Sequence, residues 1–498
     1  MNVNPITRLD YPDPDVIRVE DTYYMVSTTM HFMPGCEILQ SFDLVHWEHV
    51  TYVYEMLDHT DAQQLKSGQN IYGQGMWAAS LRYHEGRFYI CFVANDTRKT
   101  YLYTSEKIDG PWKKQLIEGF YHDGSLLFDE DGRNYIVYGN DEIWITELNE
   151  DLTAPKKDGL HRLLVSDHKN PELGYEGSHI QKINGYYYIF LVHSLRDRWM
   201  RTEACFYSDS LEGEFTGGDV LCDDRGYCGQ GVAQGGIVDT PDGKWYAMLF
   251  QDSGAVGRIP ILLPVTWKDH FPFFGQNGHV PEEIEVHSTR PGYIYQPLVG
   301  SDDFCNGLLP RWQFNHDPDP RYYHLDALQG TYTITTREVC TELTQAVNTL
   351  TQRMSYPSCA AEVTVDASAL KEGDVAGLCA LQGCYAAVGI TKHHGKYEVL
   401  MLDKKEDGIL DMTEGTVVES HQMDFRLEAD FYNMKDEARC YYRVNKGDWL
   451  PIGTVHKLYF KLDHFTGCRF GLFCYAAEET GGSACFRDFK YYDVDEIS

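Results

Sequence analysis

Three acidic residues and one tryptophan occupy equivalent positions of a repeating pattern: Asp13, Trp77, Asp123 and Glu176. Each stands eight residues before a hairpin-type turn, and Gln234 holds that position in a fifth segment. Carboxyl groups crowded into a partly dry cavity repel one another, which drives their pKa values apart. One acid can then donate a proton while another acts as a base, and a tryptophan face can stack on a sugar ring. These residue types indicate hydrolysis of a glycosidic bond.

The repeat also predicts the elements that must position these residues. Its five segments begin at intervals of 64, 46, 53 and 58 residues, a period typical of propeller blades. Each segment contains a short strand, a turn such as Asp131-Gly132 or Asn184-Gly185, and a second strand rich in aromatic residues. We therefore expect a five-bladed β-propeller over residues 1–295, with the five opening residues around one mouth of its channel. A single aspartate at the start of a strand usually caps a turn, but three acids at equivalent positions favour a catalytic role.

A second domain is expected beyond a segment rich in proline and glycine, STRPGYIYQPLVG. Short alternating strands such as TYTITT, AAEVTVD and RFGLFCY follow it, separated by regular turns. This pattern predicts a jelly-roll, concanavalin-like β-sandwich over residues 300–498. The whole chain is therefore expected to be all-β.

Composition excludes several classes of partner. The formal net charge of −32 argues against nucleic acid and against anionic membranes. No apolar stretch approaches the roughly 20 residues that span a bilayer. The first residues lack the apolar core of a signal peptide, so a cytoplasmic location is expected. The expected partner is a small oligosaccharide, and whether the chain forms a homo-oligomer is left open.

The segments around the four landmarks resemble family 43 of the glycoside hydrolases. They are DYPDPDVIRVEDTYYMVSTT, GMWAASLRYHEGRFYI, HDGSLLFDEDGRNYIV and YEGSHIQKINGYYYIF, in that order. The segments LTQRMSYPSCAAEVTVD and GDVAGLCALQGCYAAVGI are similar to the β-sandwich of the β-xylosidase-like branch. Members of the family include β-xylosidases, α-L-arabinofuranosidases and arabinanases. The resemblance covers all five predicted blades and extends into the second domain.

The resemblance implies an inverting mechanism and a role for each landmark. Asp13 would be the general base that activates water, and Glu176 the general acid that protonates the leaving oxygen. Asp123 would tune the pKa of the acid and orient the sugar. Trp77 would stack on the sugar, and Arg258 would reach substrate hydroxyls from the fifth blade.

Two departures from the family pattern stand out. Trp77 is followed by two alanines where Trp-Ala-Pro is usual. Gln234 replaces a histidine that many relatives place at the channel centre; its amide oxygen could serve a calcium ion there, although the chemistry itself needs no cofactor. His31 and Phe32, which follow the second strand of the first segment, are candidates for a pocket wall.

The expected activity is removal of a terminal xylose or arabinose from plant cell-wall oligosaccharides, including xylan fragments. The sequence does not choose between the two sugars. A non-catalytic, lectin-like propeller is the main alternative, although it leaves three acids in register unexplained. A glycoside phosphorylase is a weaker one, because the sequence shows no basic cluster near the opening residues apart from Arg258.

Overall fold

Tight turns close the first hairpin of each repeat. In the computed structural model, which describes residues 2–493, Met76–His84 pairs antiparallel with Arg87–Ala94 across Glu85-Gly86. Glu85 (φ 47°) and Gly86 (φ 77°) are both left-handed, as a two-residue type I′ turn requires. Asn184-Gly185 repeats this geometry, with φ of 51° and 86°. The predicted hairpins are confirmed.

Five four-stranded antiparallel sheets follow one another along the chain and form the predicted five-bladed propeller. Blade one contains Asp15–Val19, Thr22–Ser27, Gly35–Ser41 and Glu48–Tyr54. Blade two contains Met76–His84, Arg87–Ala94, Lys99–Ser105 and Lys113–Ile117. Blade three contains Ser125–Phe128, Asn134–Asn140, Glu142–Leu148 and His161–Ser166. Blade four contains Glu176–Ile183, Tyr186–Ser194, Arg201–Ser208 and Thr216–Leu221. Blade five contains Val232–Asp239, Trp245–Asp252, Arg258–Lys268 and Phe271–Phe274.

One arginine ties four blades together inside the channel. Arg82 of blade two donates to Asp15 Oδ2 of blade one at 2.8 Å and to Ser125 Oγ of blade three at 2.6 Å. It also reaches the carbonyl of Ile180 in blade four at 3.2 Å. Asp15 is 1% exposed. A buried pair with this many hydrogen bonds specifies how the blades meet, since each partner would be costly to leave alone.

The rest of the chain forms the predicted β-sandwich of two antiparallel sheets. The seven-stranded sheet contains, in spatial order, Tyr323–Asp326, Thr331–Thr335, Ser483–Asp493, Ser358–Asp366, Gln422–Asp430, Glu437–Val444 and Leu450–Lys457. The facing sheet contains, in order, Leu410–Met412, Lys396–Lys404, Tyr385–His393, Val375–Leu381, Arg469–Tyr475, Leu350–Arg353 and Gln313–Asn315, and Thr416–Val418 pairs with Lys396–Lys404. Alternating apolar residues of both sheets form one core between them.

The sandwich is joined to the propeller by shared structure. The two-residue strand Phe32–Met33 leaves blade one and pairs with Gln313–Asn315 at the edge of the sandwich sheet. Arg353 of the sandwich contacts Glu37 of blade one at 2.8 Å, and both side chains are at most 4% exposed. The sandwich core also includes Val256 of the propeller. Because these elements cross between the two parts, the predicted boundaries of 1–295 and 300–498 stay predictions.

The remaining elements are short. Asn2–Val3 pairs with Glu283–Ile284, and single 3-10 turns cover Lys66–Gly68, Gly254–Val256, Leu343–Gln345 and Tyr432–Met434. Across residues 2–493, no helix has both the length and the apolar character needed to cross a membrane.

The role of Arg82 can be tested by unfolding. Arg82→Met leaves Asp15 buried without its main cationic partner, so we expect a loss of about 3–5 kcal/mol in the free energy of unfolding, measured with urea. Arg133→Met is the matched control, because Arg133 pairs with Asp131 at a surface where both side chains are 43% exposed. The control should lose at most about 1 kcal/mol. Equal losses in the two variants would contradict the assigned role.

Candidate active site

The five opening residues share a local backbone feature. In every blade, the opening residue or the residue after it has a left-handed backbone conformation, with φ between 37° and 71°. These residues are Asp13, Ala78, Asp123, Gly177 and Gln234. In blades two, four and five the register of the first hairpin shifts at this point, as at a β-bulge. A bulge redirects a side chain that would otherwise follow the strand's alternation. The repeat therefore positions side chains at the channel mouth through a repeated local distortion.

Asp13 is held by two donors from different parts of the propeller. Arg258 Nη1 donates to its Oδ1 at 2.7 Å, and the Thr28 hydroxyl donates to its Oδ2 at 2.6 Å. Thr28 Oγ1 also accepts the backbone N–H of Ala78 at 2.8 Å. Asp13 is only 3% exposed. The charge-assisted bond to arginine compensates the buried carboxylate and fixes its orientation.

A second arginine stabilises Arg258 through a shared aspartate. Asp252 accepts from Arg258 Nε at 3.1 Å and from Arg201 Nε at 3.0 Å, and all three side chains are at most 6% exposed. Burial opposes ionisation of Asp252, but the charges of Arg201 and Arg258 hold its pKa below the ordinary value. The side chains thus form a row of alternating charges that runs from Arg201 through Asp252 and Arg258 to Asp13.

Glu176 has different partners. Its Oε2 accepts from Asn140 Nδ2 at 2.8 Å and lies 3.4 Å from His122 Nε2. The same His122 nitrogen lies 3.6 Å from Asp123 Oδ2. Asp123 is 6% exposed, and its Oδ2 accepts the backbone N–H of Gly177 at 2.9 Å. His122 therefore lies between the two carboxyl groups for which the family resemblance implies roles as the acid and its pKa modulator.

These contacts shift the pKa values of the three groups in different directions. Burial raises the pKa of Asp123 to about 6. The charge of His122 opposes this rise, and the charges of Glu176 and Asp13 add to it. Burial also disfavours the charged form of Glu176, but hydrogen bonding and charge from His122 outweigh it and lower the pKa. Burial opposes protonation of His122, yet Asp123 and Glu176 raise its pKa to about 9. In the free protein, a positive charge therefore lies between the two carboxyl groups.

All these groups face a cavity of about 200 Å³. It is lined by Asp13, Trp77, His122, Asp123, Asn140, Leu173, Glu176, Trp199, Arg201, Gln234, Arg258, Leu462 and Phe465. The last two belong to the sandwich. The Phe465 ring packs edge-on against Trp77 with centroids 5.0 Å apart, and it lies 3.6 Å from the Arg258 guanidinium. The pocket is thus completed by a loop of the second domain.

Residues 3–272 match the family described as glycosyl hydrolases family 43. Residues 301–492 match the beta xylosidase C-terminal concanavalin A-like domain. The first match alone covers more than half of the chain. The chain belongs to glycoside hydrolase family 43.

Similar proteins agree with this assignment. A solved structure described as a bifunctional GH43-CE from Bacteroides eggerthii is 41% identical, with a TM-score of 0.91, over 100% of this chain. This chain spans only 64% of that longer protein. A beta-xylosidase from Formosa agariphila is 27% identical over 99% of this chain and 89% of the relative. A xylosidase/arabinosidase from Butyrivibrio fibrisolvens is 24% identical over 99% of both chains. The predicted family and glycosidase class are confirmed.

Gln234, the predicted calcium ligand, lines the cavity, but the space beside it in the channel is small. Together with Ser178 it lines a void of about 10 Å³ within the channel. The Ser178 hydroxyl is buried and has no hydrogen-bond partner in the protein. A void of this size holds about one water molecule, whereas calcium takes six to eight oxygen ligands at about 2.3–2.6 Å. The side chains as placed do not fit a calcium ion with its water shell.

The structure does not bring His31 and Phe32 into the cavity. Both are at most 2% exposed, and they lie where the strand Phe32–Met33 joins the sandwich sheet. The His31 ring contacts His316 at a centroid distance of 5.0 Å, and Phe32 packs under the Arg469 guanidinium at 3.5 Å. The predicted pocket-wall role is therefore corrected to a role between the domains, because pairing with the sandwich draws this segment away from the channel mouth.

Several site residues were missed by the sequence reasoning, although some had a signal. In an antiparallel hairpin, the end of the second strand lies beside the start of the first. Thr28, Asn140 and Asp252 stand at or just after the ends of second strands, so their polar side chains could have been expected at the same mouth. His122 directly precedes Asp123, so its place beside the predicted site residue was a signal in the sequence. Phe465 had no local signal, since only the packing of the two domains brings it here.

Phe465 can be tested as part of the pocket wall. Phe465→Ala uncovers Trp77 and Arg258, so we expect KM for an aryl glycoside substrate to rise about tenfold, roughly 1.4 kcal/mol of binding, with kcat changed less. Phe460→Ala is the matched control, because Phe460 precedes Phe465 by five residues and is half-buried beside another groove. Steady-state kinetics on both variants provides the measurement. A similar KM for both would contradict the role given to Phe465.

Proposed function

We propose that this enzyme removes single β-D-xylosyl or α-L-arabinofuranosyl residues from the ends of plant cell-wall oligosaccharides, such as xylan fragments, with inversion at the anomeric carbon. The observation that carries the proposal is the difference between two carboxyl groups on one small cavity. Asp13 is paired with Arg258, whereas Glu176 is paired with His122 and Asn140. An inverting reaction needs such a division between a base and a proton donor.

Asp13 is the general base in this proposal. Its bonds to Arg258 and Thr28 hold the carboxylate in one orientation, so its remaining lone pairs can accept a proton from a water at the mouth. As the water attacks the anomeric carbon, its O–H bond breaks and the proton passes to Asp13. The positive charge of Arg258 offsets charge on Asp13 without competing as a proton donor, because guanidinium stays protonated.

Glu176 is the general acid. It lines the cavity and remains 17% exposed, so its carboxyl group can meet the glycosidic oxygen. Proton transfer from Glu176 to that oxygen lets the carbon–oxygen bond break without forming an alkoxide. Asp123, held by the backbone of Gly177, adjusts the charge around the acid and can accept a sugar hydroxyl. An inverting pair is expected to stand roughly 6.5–9.5 Å apart.

The size of the pocket supports exo-action on a small sugar. A cavity of about 200 Å³ is smaller than the roughly 300–1,000 Å³ typical of pockets for drug-sized ligands. Leu462 and Phe465 of the sandwich add to its wall. The names of relatives support a pentose: besides those above, a non-reducing end alpha-L-arabinofuranosidase from Bacteroides ovatus is 26% identical over 66% of this chain. The choice between xylose and arabinose is left to experiment.

The two alternatives are less well supported. A lectin-like propeller would not require a buried base and an acid with separate partners, each of which costs desolvation. For a phosphorylase, the sequence expectation needs correction, because Arg201 and His122 do join Arg258 at the mouth. Each of these cations nevertheless contacts a carboxylate: Arg201 contacts Asp252, His122 contacts Glu176, and Arg258 contacts Asp13. The charge of each cation in this described site is therefore already balanced by a carboxylate, although Arg201 Nη1 has no hydrogen-bond partner within the protein.

The roles can be tested with 4-nitrophenyl β-D-xyloside, the α-L-arabinofuranoside and xylobiose. Asp13→Ala should lose at least about 1,000-fold in kcat/KM on each substrate that the wild type cleaves, because no other base activates water. Glu176→Ala should lose more on xylobiose than on the aryl glycosides, since 4-nitrophenol leaves with little proton assistance. Glu130→Ala, an exposed acid of blade three, is the control and should behave like wild type.

The first product anomer, observed by NMR on each aryl glycoside, reports both the preferred sugar and the stereochemistry. We expect the configuration to invert. Retention of configuration, near wild-type turnover of any substrate by Asp13→Ala, or near wild-type turnover of xylobiose by Glu176→Ala would overturn the assignment.

Calcium held by Gln234 stays a prediction of the sequence, and the proposed reaction does not depend on it. Because the void beside Gln234 is about 10 Å³, we expect dialysis against EDTA to leave kcat and the melting temperature unchanged. Elemental analysis of the protein before and after dialysis would show whether a metal was present to be removed. A bound calcium ion whose loss lowers either quantity would show that the channel opens to admit it.

A further inference from the structure

His122 occupies a place in the site that the proposed acid and base do not account for. Its Nε2 lies 3.4 Å from Glu176 Oε2 and 3.6 Å from Asp123 Oδ2, and the donor atoms of all three groups lie within 4.8 Å of one another. Its ring lies 6.5 Å from that of Trp77 and is 22% exposed on the cavity. The carbonyl of His122 accepts the N–H of Gly139, which fixes its backbone against blade three. His122 is therefore held beside the acid and in reach of solvent.

The surroundings of Glu176 raise a question about its proton. A general acid must carry a proton when the leaving oxygen needs it. In the free protein, however, His122, Arg201 and Arg258 lower the pKa of Glu176, while the pKa of His122 is raised to about 9. At neutral pH the proton therefore resides on the imidazole.

We propose that His122 stores the proton that Glu176 delivers to the leaving group. The inference rests on the proposed function, in which Glu176 is the general acid. His122 is a positioning residue for the proton, since it acts through Glu176. The hydrogen-bond geometry between His122 Nε2 and Glu176 Oε2 carries the proposal.

The transfer conserves protons at each step. First, the His122 Nε2–H bond breaks and an O–H bond forms on Glu176 Oε2, which leaves a neutral imidazole beside a neutral carboxyl group. Next, the Glu176 carboxyl gives its proton to the glycosidic oxygen as the bond to the anomeric carbon breaks. The exposed edge of His122 then regains a proton from water, and the proton taken up by Asp13 returns to solvent.

Substrate binding supplies the reason for the first transfer. A sugar that fills the cavity expels water from around His122 and Glu176. An ion pair loses more solvation on drying than the corresponding neutral pair, so drying favours imidazole with carboxylic acid. Glu176 is thereby protonated when a substrate occupies the cavity.

The charges that face His122 set the conditions for this transfer. Asp123 and Glu176 contact it directly, and Asp13 adds a more distant negative charge. The charges of Arg201 and Arg258 also act on Glu176, and both arginines are themselves paired with Asp252. A change at His122 should therefore alter the proton count of the acid side without removing the partners of Asp13.

The pH dependence of kcat/KM for xylobiose tests the proposal, because it reports the ionisation of the free enzyme. In the wild type, the shared proton is lost only as pH rises through the raised pKa of His122. In His122→Asn, Glu176 must keep the proton itself. The fall of kcat/KM on the basic side of the pH profile, its basic limb, should therefore move to lower pH by at least about one unit. Asn140→Ala is the control: it loses a hydrogen bond to the same Glu176 oxygen but no titrating group, so activity should fall while the basic limb stays.

If His122 only lowered the pKa of Glu176 by its charge, His122→Asn would move the basic limb to higher pH. A limb that moves upward or does not move would overturn the proposal. If Glu176→Ala also remains active, the proposed function itself fails. If Glu176→Ala is inactive and only the predicted shift is missing, the failure is confined to His122.

A measurement without substitution at His122 covers the case of a variant that does not fold. In ¹⁵N-histidine-labelled Asp13→Asn enzyme at pH 7, the His122 ring should give cationic shifts alone and neutral shifts with saturating xylobiose. A ring that keeps one charge state in both conditions would overturn the proposal.

Discussion

Burial of charge is the constraint on which this structure depends. The propeller encloses carboxyl groups at two levels of its channel, and each must find a partner there because water is largely excluded. Deep in the channel, Asp15 of blade one is bound by Arg82, which also reaches Ser125 of blade three and Ile180 of blade four. At the mouth, Asp13 is bound by Arg258. The first pairing organises the blades, and the second fixes the orientation of the proposed general base.

The same repeated hairpin gives chemically different results in different blades. Every blade has a left-handed residue at or just after its opening residue, so the side chains converge by one local geometry. What distinguishes them is the neighbours. Asp13 meets an arginine and a threonine, whereas Glu176 meets a histidine and an amide. Equivalent positions thus acquire different hydrogen-bonding partners, and different partners are what the proposed division between an acid and a base requires.

The sandwich is part of the active site. Phe32–Met33 extends its sheet from the propeller, and the Arg353–Glu37 pair is buried between the two parts. This rigid attachment allows one loop to place Phe465 against Trp77 and Arg258. A site built on both domains can be closed on one side without a moving lid, and closure on one side suits removal of a terminal sugar.

Much of the fold and the central acids could be predicted from the sequence, because hairpin turns and strand periodicity are local properties. The sequence by itself determined five blades, a following sandwich, and the gathering of Asp13, Trp77, Asp123, Glu176 and Gln234 at one mouth. Only the tertiary structure decided their partners. Arg201 reaches the site from the third strand of blade four and Phe465 from the other domain, and His31 is drawn away from it. Proton affinity and pocket shape depend on such distant neighbours, and no local pattern records which residues will share a cavity.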